Sequence, residues 1–151
     1  MRLIIDANIL YAALIKDSLT AHILVNDKLK FYAPEFLFEE FTKYEDYLLD
    51  KTHRTKKDFK KFYKILRQKI TIIPKKDIEP FLKQAMEISP DPKDTIYLAL
   101  SLATDSKMWS NDKILKNKQN LIEILTTEEI LDEVTILEAK KEQKNDNEIT
   151  E

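Results

Sequence analysis

The chain has 151 residues, 43% of them hydrophobic, with 25 Lys and Arg against 27 Asp and Glu. That is enough apolar material for one core and too little length for two. Cysteine and glycine are both absent, which excludes disulfides, thiolate zinc sites and the glycine-rich loops that hold nucleotide phosphates, because those loops need a residue without Cβ where backbone meets phosphate.

The start, Met1-Arg2-Leu3-Ile4-Ile5-Asp6, is a short apolar run that meets an acid at once and is unlike a signal peptide. No apolar stretch approaches the ~20 residues that cross a bilayer, and Lys16 and Asp17 interrupt the first helical pattern. The expectation is a soluble cytoplasmic protein with no membrane partner.

In chain order, apolar runs alternate with amphipathic segments. Leu3-Ile4-Ile5 precedes a helical pattern over 9–15; Phe31-Tyr32-Ala33 precedes 36–49; the run 70–73 precedes 78–88. Then come 97–103, Met108-Trp109, Leu115, 121–125 and Ile130-Leu131. This rhythm predicts an α/β fold, a three-layer α/β/α domain with a central parallel sheet. Helix starts are marked by Pro34 in a first turn, Thr55 before a long 3.6-period pattern, Asp77, and Thr126 or Thr127 before Glu128-Glu129. Residues 138–151 hold only Ala139 and Ile149 as apolar positions, so the domain is expected over 1–137 and a charged, disordered tail over 138–151. Between Lys51 and Lys69 the bases are opposed by Asp58 alone, which makes this segment the candidate surface for an anionic ligand.

With His22 and His53 far apart, chemistry must come from carboxylates, hydroxyls, amides and lysines. In a parallel sheet, ligands bind beyond the carboxyl ends of strands. Asp6 closes the first apolar run, Asp112 follows Met108-Trp109-Ser110-Asn111, and Asp94 opens the 97–103 helix after Asp91-Pro92-Lys93. Read singly, each has an ordinary explanation, and Asp94 could be only a helix N-cap. A fourth acid is expected from the helix after Pro34, where Glu39 and Glu40 compete. The apolar stripe Leu37, Phe41, Tyr44, Leu48 puts Glu40 at its inward margin and Glu39 on the wet side. Clustered carboxylates without His or Cys favour a hard divalent cation, Mg²⁺ or Mn²⁺.

Four motifs in this order carry a family resemblance. Ile5-Asp6-Ala7-Asn8 resembles the D-x-N opening of the PIN-domain family, and Glu40 stands at its helix-borne acid. Asp94 in Asp91-Pro92-Lys93-Asp94 resembles its third acid before an Ala-containing helix, and Ser110-Asn111-Asp112 resembles its [ST]-x-D. The resemblance extends to about residue 127 and is closest to the VapC-like subgroup with A-P-E-F before the helix, associated with toxin components. Two departures are the pair Glu39-Glu40, which leaves the second acid open by one position, and the extra acid Asp91.

The resemblance implies an Mg²⁺- or Mn²⁺-dependent endoribonuclease with Asp6, Glu40, Asp94 and Asp112 as metal ligands. Asn8 and Ser110 would orient carboxylates or water, although Asn8 also reads as an N-cap. Asp91 would be a supporting ligand or, by its Asp-Pro sequence, a turn former. It also implies an RNA substrate, a cognate antitoxin and a homodimer. Lys57, Lys60, Lys61, Lys64 and Arg67, on the outer face of the basic segment, are candidate RNA contacts, or else a solvated helix face. The alternative is a catalytically inactive PIN fold that binds RNA or protein. A D-x-D phosphatase is disfavoured, since Asn8 stands where its second Asp would be.

Overall fold

A computed structural model describes residues 1–15 and 18–150. Lys16 and Asp17, the expected interruption of the first helical run, lie outside the described residues, as does Glu151.

Five strands form one parallel sheet: β1 (Arg2–Ile5), β2 (Lys30–Pro34), β3 (Ile70–Ile73), β4 (Lys107–Trp109) and β5 (Ile124–Leu125), in the order β3-β2-β1-β4-β5. Leu3 pairs with Phe31 on one side and Lys107 on the other, and Ile5 with Trp109. The strands read as unbroken apolar runs because both faces are buried. Leu3, Ile5, Phe31, Ala33, Trp109 and Leu125 face one core; Ile4, Met108 and Ile124 face the other.

The first core is covered by α1 (Ala7–Ala13), α2 (Leu19–Leu24), α3 (Glu35–Lys43), α4 (Glu45–Thr52), α5 (Lys56–Lys69) and the start of α10 (Thr127–Thr150). The second is covered by α6 (Lys75–Ile78), α7 (Leu82–Ile88), α8 (Thr95–Thr104) and α9 (Lys113–Lys118). Helices lie on both faces of the sheet, the expected three-layer α/β/α arrangement.

Phe41 stacks on Tyr11 of α1 with ring centroids 6.3 Å apart and on Phe59 of α5 at 5.2 Å, which fixes α3 among its neighbours. Helix ends follow local chemistry. Thr55 caps α5 through the Asp58 N–H, and Thr126 and Glu129 form a reciprocal capping box at the start of α10.

Three expectations are corrected. The periodic segment 36–49 is two helices, because Tyr44 leaves helical geometry between α3 and α4. Pro34 is the cap that ends β2 rather than a first-turn residue. Helix α6 opens after Pro74, two residues before Asp77. Residues 138–150 continue α10 and are exposed. Ala, Lys, Glu and Gln are strong helix formers, and extending a helix already nucleated by a capping box and by buried Ile130 and Val134 costs little. Low hydrophobicity predicted the exposure of this segment.

Candidate active site

Connections run outward from β1 through β2 to β3, and on the opposite side from β4 to β5. The carboxyl ends of β1 and β4 therefore flank the topological switch point, where an open parallel sheet leaves a crevice. Asp6 follows β1 directly, and Ser110 follows β4.

The chain passes from β1 into α1 without a loop, so Asp6 ends the strand and caps the helix. Its Oδ1 accepts from the Ile9 N–H at 3.0 Å, and its Oδ2 accepts from the Ser110 hydroxyl at 2.8 Å. Asp6 is thus the N-cap that the sequence equally allowed for Asn8; Asn8 lies exposed in the first turn. Ser110 is 1% exposed and also accepts from the Asp112 N–H at 3.2 Å. Asp112 caps α9, its Oδ1 accepting from Ile114 N–H at 2.9 Å and Leu115 N–H at 3.2 Å. Asn111 ties the same loop to α10, accepting from the Thr127 N–H at 2.8 Å and donating to the Thr127 hydroxyl at 2.9 Å.

Asp94 ends a 3₁₀ turn (Pro92–Asp94) and stands at the N-cap position of α8, yet its carboxylate makes no capping hydrogen bond. It is not used by the helix. Asp91 does act as a turn former, accepting from the Lys93 N–H at 2.9 Å. Glu40 is half-buried and faces the crevice, whereas Glu39 is exposed and borders a separate hollow of about 150 Å³ with Lys75 and Ile78.

Asp6, Glu40, Asp94 and Asp112, from four separate segments, line one cleft of about 720 Å³ together with Asn8 and Tyr97. Burial and neighbouring charge act on two of these acids, Asp94 and Asp6. Burial, followed by the charges of Asp112, Asp91 and Asp6, pushes Asp94 up to about 6. Burial raises Asp6 above the usual range although Ser110 and the Ile9 N–H pull it down. A divalent cation would relieve this repulsion, and the all-oxygen donor set suits Mg²⁺ or Mn²⁺. Among the described residues, no three His, Cys, Asp or Glu side chains form a ready-made metal cage. The fit lies in the kind of donors and their shared cleft.

The basic residues are placed elsewhere. Lys57, Lys60, Lys61, Lys64 and Arg67 are all exposed on α5, with Phe59 and Leu66 buried beneath, and none lines the acidic cleft. The Arg67 guanidinium lies 5.1 Å from the Phe38 ring centroid of α3.

The profile of the PIN domain matches residues 4–135. The chain belongs to the PIN domain family. Among solved structures, the PIN fold here is similar to a chain of VapBC2 from Rickettsia felis bound to a DNA fragment from their promoter. The TM-score is 0.59 at 12% identity, covering 83% of this chain and 98% of that one. No curated protein sequence matches. Among the described residues, no helix is long and apolar enough to cross a membrane.

One resident of this PIN cleft was not singled out in the sequence. Tyr97 is buried on α8, tilted against Phe36 at 6.0 Å. Burial and the charges of Asp6 and Glu40 push its phenol well above the ordinary tyrosine value, so it keeps its proton. The available signal was spacing: Tyr97 follows Asp94 by three residues, one helical turn.

Proposed function

We propose that this PIN-domain protein is a metal-dependent endoribonuclease of the cytoplasm, with Asp6, Glu40, Asp94 and Asp112 holding Mg²⁺ or Mn²⁺. The observation that carries this reading is the convergence of four carboxylates from separate segments on one cleft at the sheet's switch point. A scaffold gains nothing from gathering acids in a cleft where burial, and then their mutual charge, raise Asp94 to about 6.

When bound, such a cation activates water and stabilises the leaving oxygen at phosphorus. Mg²⁺ commonly takes one or two carboxylates, with water and substrate phosphate completing its shell, which accords with acids that share a cleft without forming a closed cage. Asp6 and Asp112 are the fixed pair, each held on one oxygen by helix N–H groups and linked through Ser110. Asp94 and Glu40 are the adaptable pair: Asp94 makes no capping bond, and Glu40 stands half-buried on α3. Asn8, exposed at the rim, can hydrogen-bond water or phosphate. The basic face of α5 would hold the flanking RNA backbone.

A regulatory protein partner, as in a toxin and antitoxin pair, is supported by two observations. The Rickettsia felis neighbour is a VapBC2 complex. Here an apolar groove of about 530 Å³, lined by Tyr11, Ile15, Tyr44 and Tyr47, exposes large side chains beside the helix that bears Glu40.

The deciding experiment is cleavage of total cellular RNA by purified protein in Mn²⁺, beside the Asp94→Asn variant and beside EDTA. Cutting by wild type with Mn²⁺ alone is expected. Cutting that survives EDTA or Asp94→Asn overturns the site. If none of the three cuts and Mn²⁺ does not bind, an inactive binding module is the better reading.

A further inference from the structure

Glu40 differs from the other acids in the cleft because nothing near it in sequence holds its carboxylate. Asp6 and Asp112 are fixed by helix N–H groups, and Asp6 also by Ser110. Asp94 sits in a turn built by Asp91 and Pro92. Glu40 lies inside a helix, where backbone donors are already used, on a side chain with several rotatable bonds.

The neighbouring donor is Tyr97. Its ring is 6% exposed and seated against Phe36, which belongs to the same helix as Glu40. Tyr97 lines the same cleft as Glu40. Burial and the neighbouring acids keep the phenol protonated, so it offers a hydrogen to an acceptor in the cleft it lines. Asp6 and Glu40 are the carboxylates whose charge acts most strongly on it. Asp6 already accepts from Ser110 and the Ile9 N–H, whereas Glu40 stands one helical turn beyond Phe36, the ring that packs on Tyr97, so Glu40 is the acceptor this geometry favours.

We propose that Tyr97 is a positioning residue that donates its phenolic hydrogen bond to Glu40 when that carboxylate turns into the cleft, fixing it for a divalent cation. Phe36 holds the ring, and the O–H would fix the Glu40 carboxylate within the cleft it shares with Asp6 and Asp94. Partners of this kind behind a metal-binding side chain typically change metal affinity by ~10- to 100-fold. The inference rests on the metal-site reading above.

The test is calorimetric Mn²⁺ binding to wild type, Tyr97→Phe, Glu40→Gln and the double variant, with RNA cleavage alongside. Phe keeps the ring's packing, so metal-free melting should stay close to wild type. Tyr97→Phe should weaken Mn²⁺ binding by ~10-fold or more, while adding little once Glu40 is Gln. An unchanged Mn²⁺ affinity in Tyr97→Phe overturns the role of Tyr97 alone. So does an equal loss with and without Glu40, and so does a rise in KM for RNA at unchanged Mn²⁺ affinity, which would place the phenol on the substrate. If wild type binds no Mn²⁺, the metal-site reading fails and this one with it.

Discussion

The hydroxyl of Ser110, at the end of β4, donates to Asp6 at the end of β1 and accepts the backbone N–H of Asp112. One buried side chain thus joins the two strand ends that flank the switch point, and it sets the position of both acids. Ser110→Ala would leave the Asp6 carboxylate without its principal side-chain donor. A lost hydrogen bond to a buried charge costs roughly 1–3 kcal/mol. The loss should be greatest at neutral pH, where Asp6 is ionised, and should shrink in acid as Asp6 becomes protonated in both proteins. Urea unfolding at pH 7 and at pH 4 measures this; an equal loss at both values would mean that the hydroxyl does not support the charged form.

Asp94 gives a pH dependence of definite sign. Its folded pKa of about 6 lies above the ordinary 3.8, so the folded state binds the proton more tightly. Its protonation favours folding below 3.8, and that advantage is lost as pH rises from there through about 6. Metal-free Asp94→Asn should therefore melt higher than wild type at pH 7 and converge with it near pH 4. Because the group is only partly buried, the gain is discounted to about 1 kcal/mol. Thermal melts with and without Mn²⁺ check both halves, since the same variant should lose most of the stabilisation by metal. A lower melting temperature for the metal-free variant at pH 7 would show that Asp94 is structurally supported rather than repelled.

The parts of this site that were legible in the sequence depend on short-range geometry. Asp6 and Asp112 sit where apolar strands end, and period 3.6 separates the half-buried Glu40 from the exposed Glu39. What was not legible depends on packing or on single-residue events. Tyr44 breaks the helix within an unbroken periodic pattern, and α2 lies in a segment with no strong stripe. Tyr97 resembles any core aromatic until α8 is laid against β1 and Phe36. Asp6 rather than Asn8 is the N-cap because it is the single residue between β1 and α1.

Absence of glycine leaves a second mark on the fold. Asp105 caps α8 in the left-handed region at φ 48° and ψ 53°, where glycine has no steric penalty. It also places a negative charge at the negative end of the helix dipole. Asp105→Gly should relieve both, offset by the greater freedom of glycine in the unfolded chain. A net gain of about 0.5 kcal/mol, or a few degrees in Tm, is expected. The residue is remote from the acidic cleft, so Mn²⁺ affinity should not move. A Tm below wild type would mean that the Asp105 side chain makes a contribution exceeding its backbone cost.

The exposed bases of α5 are the surface where charge reversal should read out RNA binding most cleanly. Lys60 and Lys64 are one helical turn apart and lie outside the Phe59 and Leu66 stripe, so Lys60→Glu with Lys64→Glu leaves the core untouched. Stability should change by no more than ~0.5 kcal/mol. If the strand of RNA that enters the cleft runs along α5, affinity should fall for all sequences alike. The slope of log affinity against log salt should flatten by about 0.7 for each single-strand phosphate that is no longer neutralised. Cleavage position on the RNA should stay the same, because phosphate contacts set affinity and orientation while carrying no sequence information. Filter binding across a salt series measures affinity and slope, and sizing the products measures position. An unaltered affinity and slope would assign this face to solvent, and the path of the RNA would then have to follow the rim formed by Asn8 and Lys93 at the cleft itself.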